Sequence, residues 1–122
     1  MINGAHVILY SRDAEADRAF LKDVLEFRSV DVGHGWLIFA LPPSEIAVHP
    51  GEGPTFDSGV RHQFSLMCDN IVDTVLELKA KGIVVMNEPQ EERWGIHVTL
   101  ALPGGCDVMV YQPKHAIAAG MR

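Results

Sequence analysis

The chain has 122 residues, of which 48% are hydrophobic, 21% are charged and 7% are aromatic. This composition is typical of one compact globular domain and excludes the disordered and fibrous classes. Ten basic and sixteen acidic side chains give a formal charge of −6, which repels nucleic-acid phosphates and anionic membrane surfaces. We therefore expect neither nucleic acid nor a membrane as a partner. No basic leader and no apolar run of about 20 residues is present, which predicts a cytoplasmic protein.

The first half of the chain predicts a strand, a helix and three more strands. A β-rich apolar run predicts a strand over 6–11, and Asp13 is a suitable N-cap for a helix over 14–25. The apolar side chains of this helix recur every three or four residues, which places them on one stripe against a sheet. They are Ala16, Ala19, Phe20, Val24 and Phe27. Three strands follow between Gly- and Pro-containing turns, over 28–32, 36–41 and 45–49.

The second half repeats this order of elements. A strand is predicted over 63–68, and either Asp69 or Asn70 caps a helix that ends at Gly82. Residues 87–93 form an acidic loop. The remaining strands of this half are predicted over 83–86, 96–102 and 107–111.

The two halves read as copies of one βαβββ module. Residues 40–50 and 101–113 each contain a strand, a Pro- or Gly-rich turn and a returning strand. The fold class predicted is α+β, with two tandem modules in a single domain. The boundaries expected are module one at 1–50, a connecting loop at 51–60, module two at 61–113 and a frayed tail at 114–122.

Three segments carry a family resemblance that covers nearly the whole chain. They are His6 with Asp13 and the following helix, residues 64–82, and residues 94–105 with their Trp-Gly and Leu-Pro-Gly-Gly sequences. In these segments the chain resembles the vicinal oxygen chelate superfamily of glyoxalase I, bleomycin-resistance proteins and extradiol dioxygenases. The resemblance implies curved mixed sheets around a cavity, in which a divalent metal binds oxygens of a small organic molecule. It also implies a homodimer, which the short chain favours as well.

The resemblance implies a metal site on the first and last strands of each module. His6 stands at the first-strand histidine, and counting back from the second helix cap puts Gln63, not His62, at the equivalent position of module two. Glu45 is the carboxylate of the last strand of module one. These three residues are the predicted ligands of Fe, Mn, Ni, Co or Zn. The alternatives are that His6 is a core or edge histidine and that Glu45 lies at the solvent edge of its turn.

The last strand of module two departs from the family pattern. Counting from Pro103 places Met109 where the family has its glutamate, and a thioether is a poor ligand for a hard cation. Asp107 and Tyr111 lie on the same face of that strand and are possible substitutes. The ligand set of glyoxalase I is therefore incomplete, and neither its activity nor that of an extradiol dioxygenase can be assigned.

Further site residues follow from alternation and from aromatic side chains near glycine. Period-two alternation sends Glu45 and His49 to one face of their strand, where Glu45 is also the candidate catalytic group that moves a proton. The candidates for contact with the small molecule are Trp36, His49, Trp94, His97, Met109 and Tyr111. Packing is the alternative for the two tryptophans, and simple surface exposure is the alternative for His97. The roles of His34 and His62 stay open.

Several chemistries find no support in the sequence. The Gly-rich stretches lead into strands and lack the helix N-terminus that binds phosphate. No nucleophile elbow is present, and Cys68 and Cys106 have no CxxC spacing, which favours reduced, buried thiols.

Three functions remain. The first is a metal-assisted lyase, isomerase or dioxygenase acting on vicinal oxygens. The second is a metal-free module that binds or sequesters a small molecule. The third is an enzyme of the superfamily with a rearranged ligand set.

Overall fold

The computed structural model describes residues 1–24, 26–41, 44–101, 107–118 and 121, with the backbone alone for Phe20 and Val24. Within these ranges the chain is α+β, as predicted, and no helix is long and apolar enough to cross a membrane. The predictions that concern the Pro42-Pro43 turn, the end of the first helix at Leu25, the side chains of Phe20 and Val24, and the 102–106 turn with Cys106 lie outside the described residues.

The residues divide into two compact units. The first unit comprises Ala5–Phe64 and Ala116–Arg122, and the second comprises Met1–Gly4 and Ser65–His115. The first therefore holds most of module one together with the tail, and the second holds most of module two.

The first unit contains the predicted strand, helix and three strands. Its elements are β1 (Ile2–Ser11, from Ala5 onward), α1 (Ala14–Ala19) continued by a π-helical turn (Phe20–Val24), β2 (Ser29–Asp31), β3 (Leu37–Leu41), β4 (Ser44–Pro50) and α2 (Gly53–Asp57). The strands lie in the order β2-β3-β4-β1, with β1 and β4 parallel and the other pairs antiparallel. Helix α2 occupies part of the expected connecting loop, where Pro54 in its first turn favours helix initiation.

Strand alternation gives this sheet two different faces. One face is apolar and packs against α1 and the π-helical turn. Its buried residues Phe39, Ile46 and Val48 pack with Leu21 of that turn. The opposite face carries His6 and Glu45, which are direct partners in the β1–β4 register. Burial of the apolar face stabilises the sheet that places these two polar side chains side by side.

The second unit has the same strand arrangement. Its elements are β5 (His62–Cys68, from Ser65 onward), α3 (Ile71–Ala80), β6 (Val84–Val85), β7 (Gln90–Glu91), β8 (Gly95–Ala101) and β9 (Asp107–Pro113). The strands lie in the order β5-β9-β8-β6, with β7 beside β8. The side chain of Asn70 accepts from the Asp73 N–H, so Asn70 is the helix cap rather than Asp69. The short strand β7 lies in the predicted acidic loop.

The register identifies equivalent positions in the two modules. Ala47 is the partner of Ile8 on β1 and of Ile38 on β3. Met109 is correspondingly the partner of Ser65 on β5 and of Thr99 on β8. The count back from the helix caps equates His6 with Gln63, and so Ile8 with Ser65, which makes Ala47 the counterpart of Met109 within this chain.

The same register also supplies the counterpart of Glu45. Glu45 pairs with Ala40, just as Asp107 pairs with Ala101. Asp107, rather than Met109, is thus the module-two counterpart of Glu45.

The tail differs from the frayed segment expected. Ala118 has no exposed surface and packs in the first unit with Ile38, Ala40 and Ala47. Its backbone N–H donates to Glu45 Oε2 over 2.8 Å. At Ala118 the tail is thus held to the first unit by packing and by a hydrogen bond to a buried carboxylate.

Candidate active site

A buried imidazole–carboxylate pair is the most distinctive polar feature of the first unit. His6 Nδ1 lies 2.5 Å from Glu45 Oε1, and the two residues are 6% and 0% exposed. Their strands bring them together because His6 and Glu45 are paired across β1 and β4. A hydrogen bond between such groups is charge-assisted and orients the ring.

Both oxygens of Glu45 have donors. Oε1 is bonded to His6, and Oε2 accepts the backbone N–H of Ala118. The expected alternative, that Glu45 lies at the solvent edge of its turn, is wrong because the carboxylate is fully buried. Two hydrogen bonds offset the cost of burying the charge. This arrangement suits a carboxylate that holds the His6 ring in place.

A second group of polar and aromatic side chains lies around His49. Its ring is 4.8 Å from that of Tyr10 and 5.5 Å from that of Trp36, measured between centroids. The Tyr10 hydroxyl donates to Gln63 Oε1 over 3.2 Å. The predicted ligand Gln63 therefore has its amide oxygen engaged by Tyr10. Arg18 covers the Trp36 ring at 4.9 Å, a cation–π contact.

The second unit contains an aromatic cluster formed by Trp94, His97, Tyr111 and His115. Trp94 stacks on His97 with a centroid distance of 5.0 Å and meets Tyr111 edge-on at 5.4 Å. The Tyr111 hydroxyl lies 3.0 Å from His115 Nε2. Three predicted contact residues, namely Trp94, His97 and Tyr111, are thus brought together, although Trp94 also stays 39% exposed.

Other predicted residues lie apart from these clusters or take a different role. Met109 is half-buried and Asp107 is exposed, while His34 and His62 are exposed. Cys68 is a buried free thiol, as expected. Burial raises the pKa of the Cys68 thiol, which makes it a poor nucleophile.

Comparison with known proteins identifies the fold of this chain through solved structures. Neither a family model nor a curated protein matches the sequence. Among solved structures, a hypothetical protein from Bacillus halodurans C-125 is 14% identical, with a TM-score of 0.67 over 94% of this chain and 96% of that one. A glyoxalase/bleomycin resistance protein/dioxygenase superfamily member from Vibrio splendidus 12B01 is 18% identical, with a TM-score of 0.53 over 93% and 99%. The protein has the vicinal oxygen chelate fold.

The fold alone does not assign a reaction. Methylmalonyl-CoA epimerase from Mycobacterium tuberculosis also matches, at 11% identity and a TM-score of 0.60 over 92% of this chain and 87% of that one. Proteins with different names thus match this chain with similar TM-scores. The chemistry of this chain has to be argued from its own residues.

The donor atoms of the predicted metal site are compatible with a divalent cation. An imidazole beside a carboxylate is a common combination at such sites, where the carboxylate often bonds the ring nitrogen that does not bind the metal. The His6–Glu45 bond matches that arrangement. At such a site His6 would bind the ion and Glu45 would orient its ring.

Several residues of these clusters were not singled out by the sequence. Tyr10 lies on a predicted strand at the spacing that puts it on the same face as His6, so alternation could have found it. Arg18 and His115 had no such signal, because their contacts depend on elements distant in sequence. Ala118 contributes only a backbone N–H, which no residue pattern can indicate.

Proposed function

We propose that the protein is an enzyme that moves a proton on a small organic molecule with neighbouring oxygens, and that His6 is the acid–base group. The observation that supports this is the buried His6–Glu45 pair. An ionised Glu45 accepts from Nδ1–H, so Nε2 is the nitrogen of His6 that exchanges a proton. This assigns Glu45 a different role from the catalytic one expected, because a carboxylate with no exposed surface and two bound donors acts on substrate through His6.

The roles of the two residues follow from their surroundings. Glu45 fixes the orientation of the ring and the nitrogen that carries its proton. The apolar side chains Ile38, Ala40 and Ala47 share the sheet face of Glu45, which has no exposed surface. A divalent metal bound to His6 Nε2 would instead take that nitrogen out of proton transfer and would polarise a carbonyl oxygen of the substrate.

The test is proton exchange, because loss of the substrate C–H reports the proton transfer itself, whatever product follows. A panel of small hydroxyketones, dicarbonyls and 2-acyl thioesters is incubated with protein in D₂O, and loss of the C–H signal next to the carbonyl is followed by NMR. We expect exchange with the wild type and a reduction of about 10²–10⁴-fold in His6→Gln. His62→Gln is the matched control, because His62 is exposed. Equal exchange rates in wild type and His6→Gln would contradict the proposal.

Metal use is tested separately. Tag-free protein is incubated with Fe²⁺, Mn²⁺, Ni²⁺ or Zn²⁺ and desalted, and its metal content is compared with that of His6→Ala. Near-stoichiometric metal that is lost in the variant would assign His6 as a ligand through Nε2, and would overturn its acid–base role because Nδ1 is bonded to Glu45. Metal that the variant retains would exclude this role and leave His6 as an acid–base group only.

The alternative is a metal-free module that binds or sequesters a small molecule. The aromatic cluster of the second unit favours it, because Trp94 offers a partly exposed ring beside Tyr111 and His97. This function predicts that compounds of the panel change Trp94 fluorescence and raise the Tm without any proton exchange. Exchange that depends on His6 would argue against it.

Assembly into a homodimer belongs to the same proposal. Sedimentation velocity at micromolar concentration tests it, and a single monomeric species would contradict it.

A further inference from the structure

The tail segment, which we define as Ala116–Ala118 with Met121, lies on the same sheet face as His6 and Glu45. Ala118 is completely buried, and its methyl group packs with Ile38, Ala40 and Ala47. Its N–H occupies Glu45 Oε2. The segment therefore covers Glu45, the residue that holds His6 in the pair on which the proposed function rests.

The pair is barely reachable while the segment is in place. Only 6% of His6 and none of Glu45 is exposed to solvent. A substrate needs direct contact with a catalytic imidazole, within about 3 Å of the atom that exchanges the proton. In this conformation the surface available for that contact is very small.

The segment is attached to the sheet differently from the strands beneath it. Neighbouring strands β3 and β4 share four register pairs, whereas Ala118 is bound through its N–H to a side chain, Glu45, and through its carbonyl to the Met121 N–H of the same segment. Ile117 is half exposed and adds little burial. A residue held by one side-chain bond and one local bond, as Ala118 is, opens at a lower free energy than a residue of a paired strand.

We propose that the tail segment is an intrachain cover of the His6–Glu45 pair, which occupies the ligand position and opens locally to admit a ligand. The proposal rests on the proposed function, since it concerns access to the same two residues. The ligand and the tail segment then compete for the same position beside Glu45. Apparent ligand affinity is then reduced by the fraction of molecules in which the cover is closed.

Native-state hydrogen exchange of the wild-type chain tests the opening. We expect the Ala118 amide to be protected relative to an unstructured peptide, yet to exchange at least about 10-fold faster than the β3–β4 ladder amides. Its rate should not respond to low urea, because a local opening exposes little surface. Exchange of Ala118 together with the β4 amides, with the same urea dependence, would show a fixed part of the core and overturn the proposal.

Chemical modification of His6 tests the cover. Diethyl pyrocarbonate modifies accessible neutral imidazoles, and peptide mapping separates His6 from exposed His34 and His62, which serve as internal references. Ala118→Pro removes the N–H that binds Glu45, whereas Ala118→Gly keeps it and is the matched control. We expect at least about 10-fold faster His6 modification in Ala118→Pro and no comparable change in Ala118→Gly.

The outcomes separate the two proposals. An unchanged His6 rate in folded Ala118→Pro, judged by circular dichroism, would overturn the cover. If that variant does not fold, the wild-type exchange experiment decides. Neither measurement depends on turnover. Evidence against the cover therefore does not affect the proton-exchange test of the proposed function, and a negative proton-exchange test does not affect the evidence for the cover.

Discussion

The two modules have the same strand pairing but different chemistry at equivalent positions. Glu45 is fully buried, whereas its counterpart Asp107 is exposed. Ala47 is small and buried, whereas its counterpart Met109 is half-buried. A shared register thus holds a buried imidazole–carboxylate pair in module one and an exposed carboxylate at the equivalent position of module two. The backbone repeat builds the fold, and the side chains of module one provide the proposed acid–base group.

One aromatic feature, in contrast, is common to both. The register that equates Ala47 with Met109 also equates His49 with Tyr111. Each of these rings receives a tryptophan edge-on, Trp36 at 5.5 Å and Trp94 at 5.4 Å. A contact present in both units is more simply explained by packing of the repeated module. The feature specific to one unit, the His6–Glu45 pair, is the stronger indication of function.

The largest effect expected comes from removing the buried carboxylate. Glu45→Ala removes the acceptor that binds the His6 ring and the Ala118 N–H, and should lower the free energy of unfolding by about 3–5 kcal/mol. Asp107→Ala, at the counterpart position, is exposed and should change it by no more than about 0.5 kcal/mol. Urea unfolding of both variants checks this. Equal losses would break the distinction between the modules.

A smaller effect is expected at the aromatic contact of the second unit. A Cβ on Gly95 would lie 2.6 Å from the Gln112 carbonyl oxygen and 2.9 Å from Tyr111 Cδ2. Since backbone cannot move away cheaply, Gly95→Ala should cost about 1–3 kcal/mol and change Trp94 emission. In Gly4→Ala the close atom is the terminal methyl of Met67, which can rotate away. A Gly95→Ala variant as stable as Gly4→Ala would contradict the packing described.

The sequence predicted the elements better than their contacts. Hydrophobic period and caps were sufficient for β1, α1 and α3, because those signals are local. Strand β7 is only Gln90 and Glu91, both polar, and it exists because β8 offers a free edge. Helix α2 is too short for a periodic pattern. Such elements depend on tertiary pairing, which no local pattern contains.

The sequence predicted which residues form the candidate site, but not how they contact one another. Alternation placed Glu45 and His49 on one face, but the burial of Glu45 depends on Ala118, 73 residues away. Counting from the turn related Met109 to a glutamate position, yet it could not reveal the counterpart of Glu45, because the two hairpins differ in length. Four residues separate Ala40 from Glu45, whereas five separate the equivalent pair Ala101 and Asp107. Sheet register resolves what counting cannot.

The thiol of Cys68 offers a further check on the second unit. Burial raises its pKa, so less thiolate is present at neutral pH than for an exposed cysteine. We expect alkylation of Cys68 by iodoacetamide at about pH 7.5 to be at least about 10-fold slower in the folded protein than in urea. Peptide mapping by mass spectrometry measures the site separately from Cys106. Comparable rates in both conditions would mean that the core of the second unit opens readily.

The smallest effect concerns the surface ion pair between Glu91 on β7 and Lys114. The hydrogen bond from Lys114, and then its charge, lower the pKa of the Glu91 carboxyl. A carboxyl whose pKa is lower in the folded state stabilises the fold above its unfolded pKa, and this contribution is lost as the pH falls through the folded value. Glu91→Gln should therefore lower Tm at about pH 7 by no more than about 3 °C, and the difference should vanish near about pH 3 and shrink in high salt. Glu92→Gln, an exposed neighbour, is the control for the loss of one charge. A Tm difference for Glu91→Gln that persists in acid would show that β7 is held by its pairing with β8 and by packing, and not by this charge.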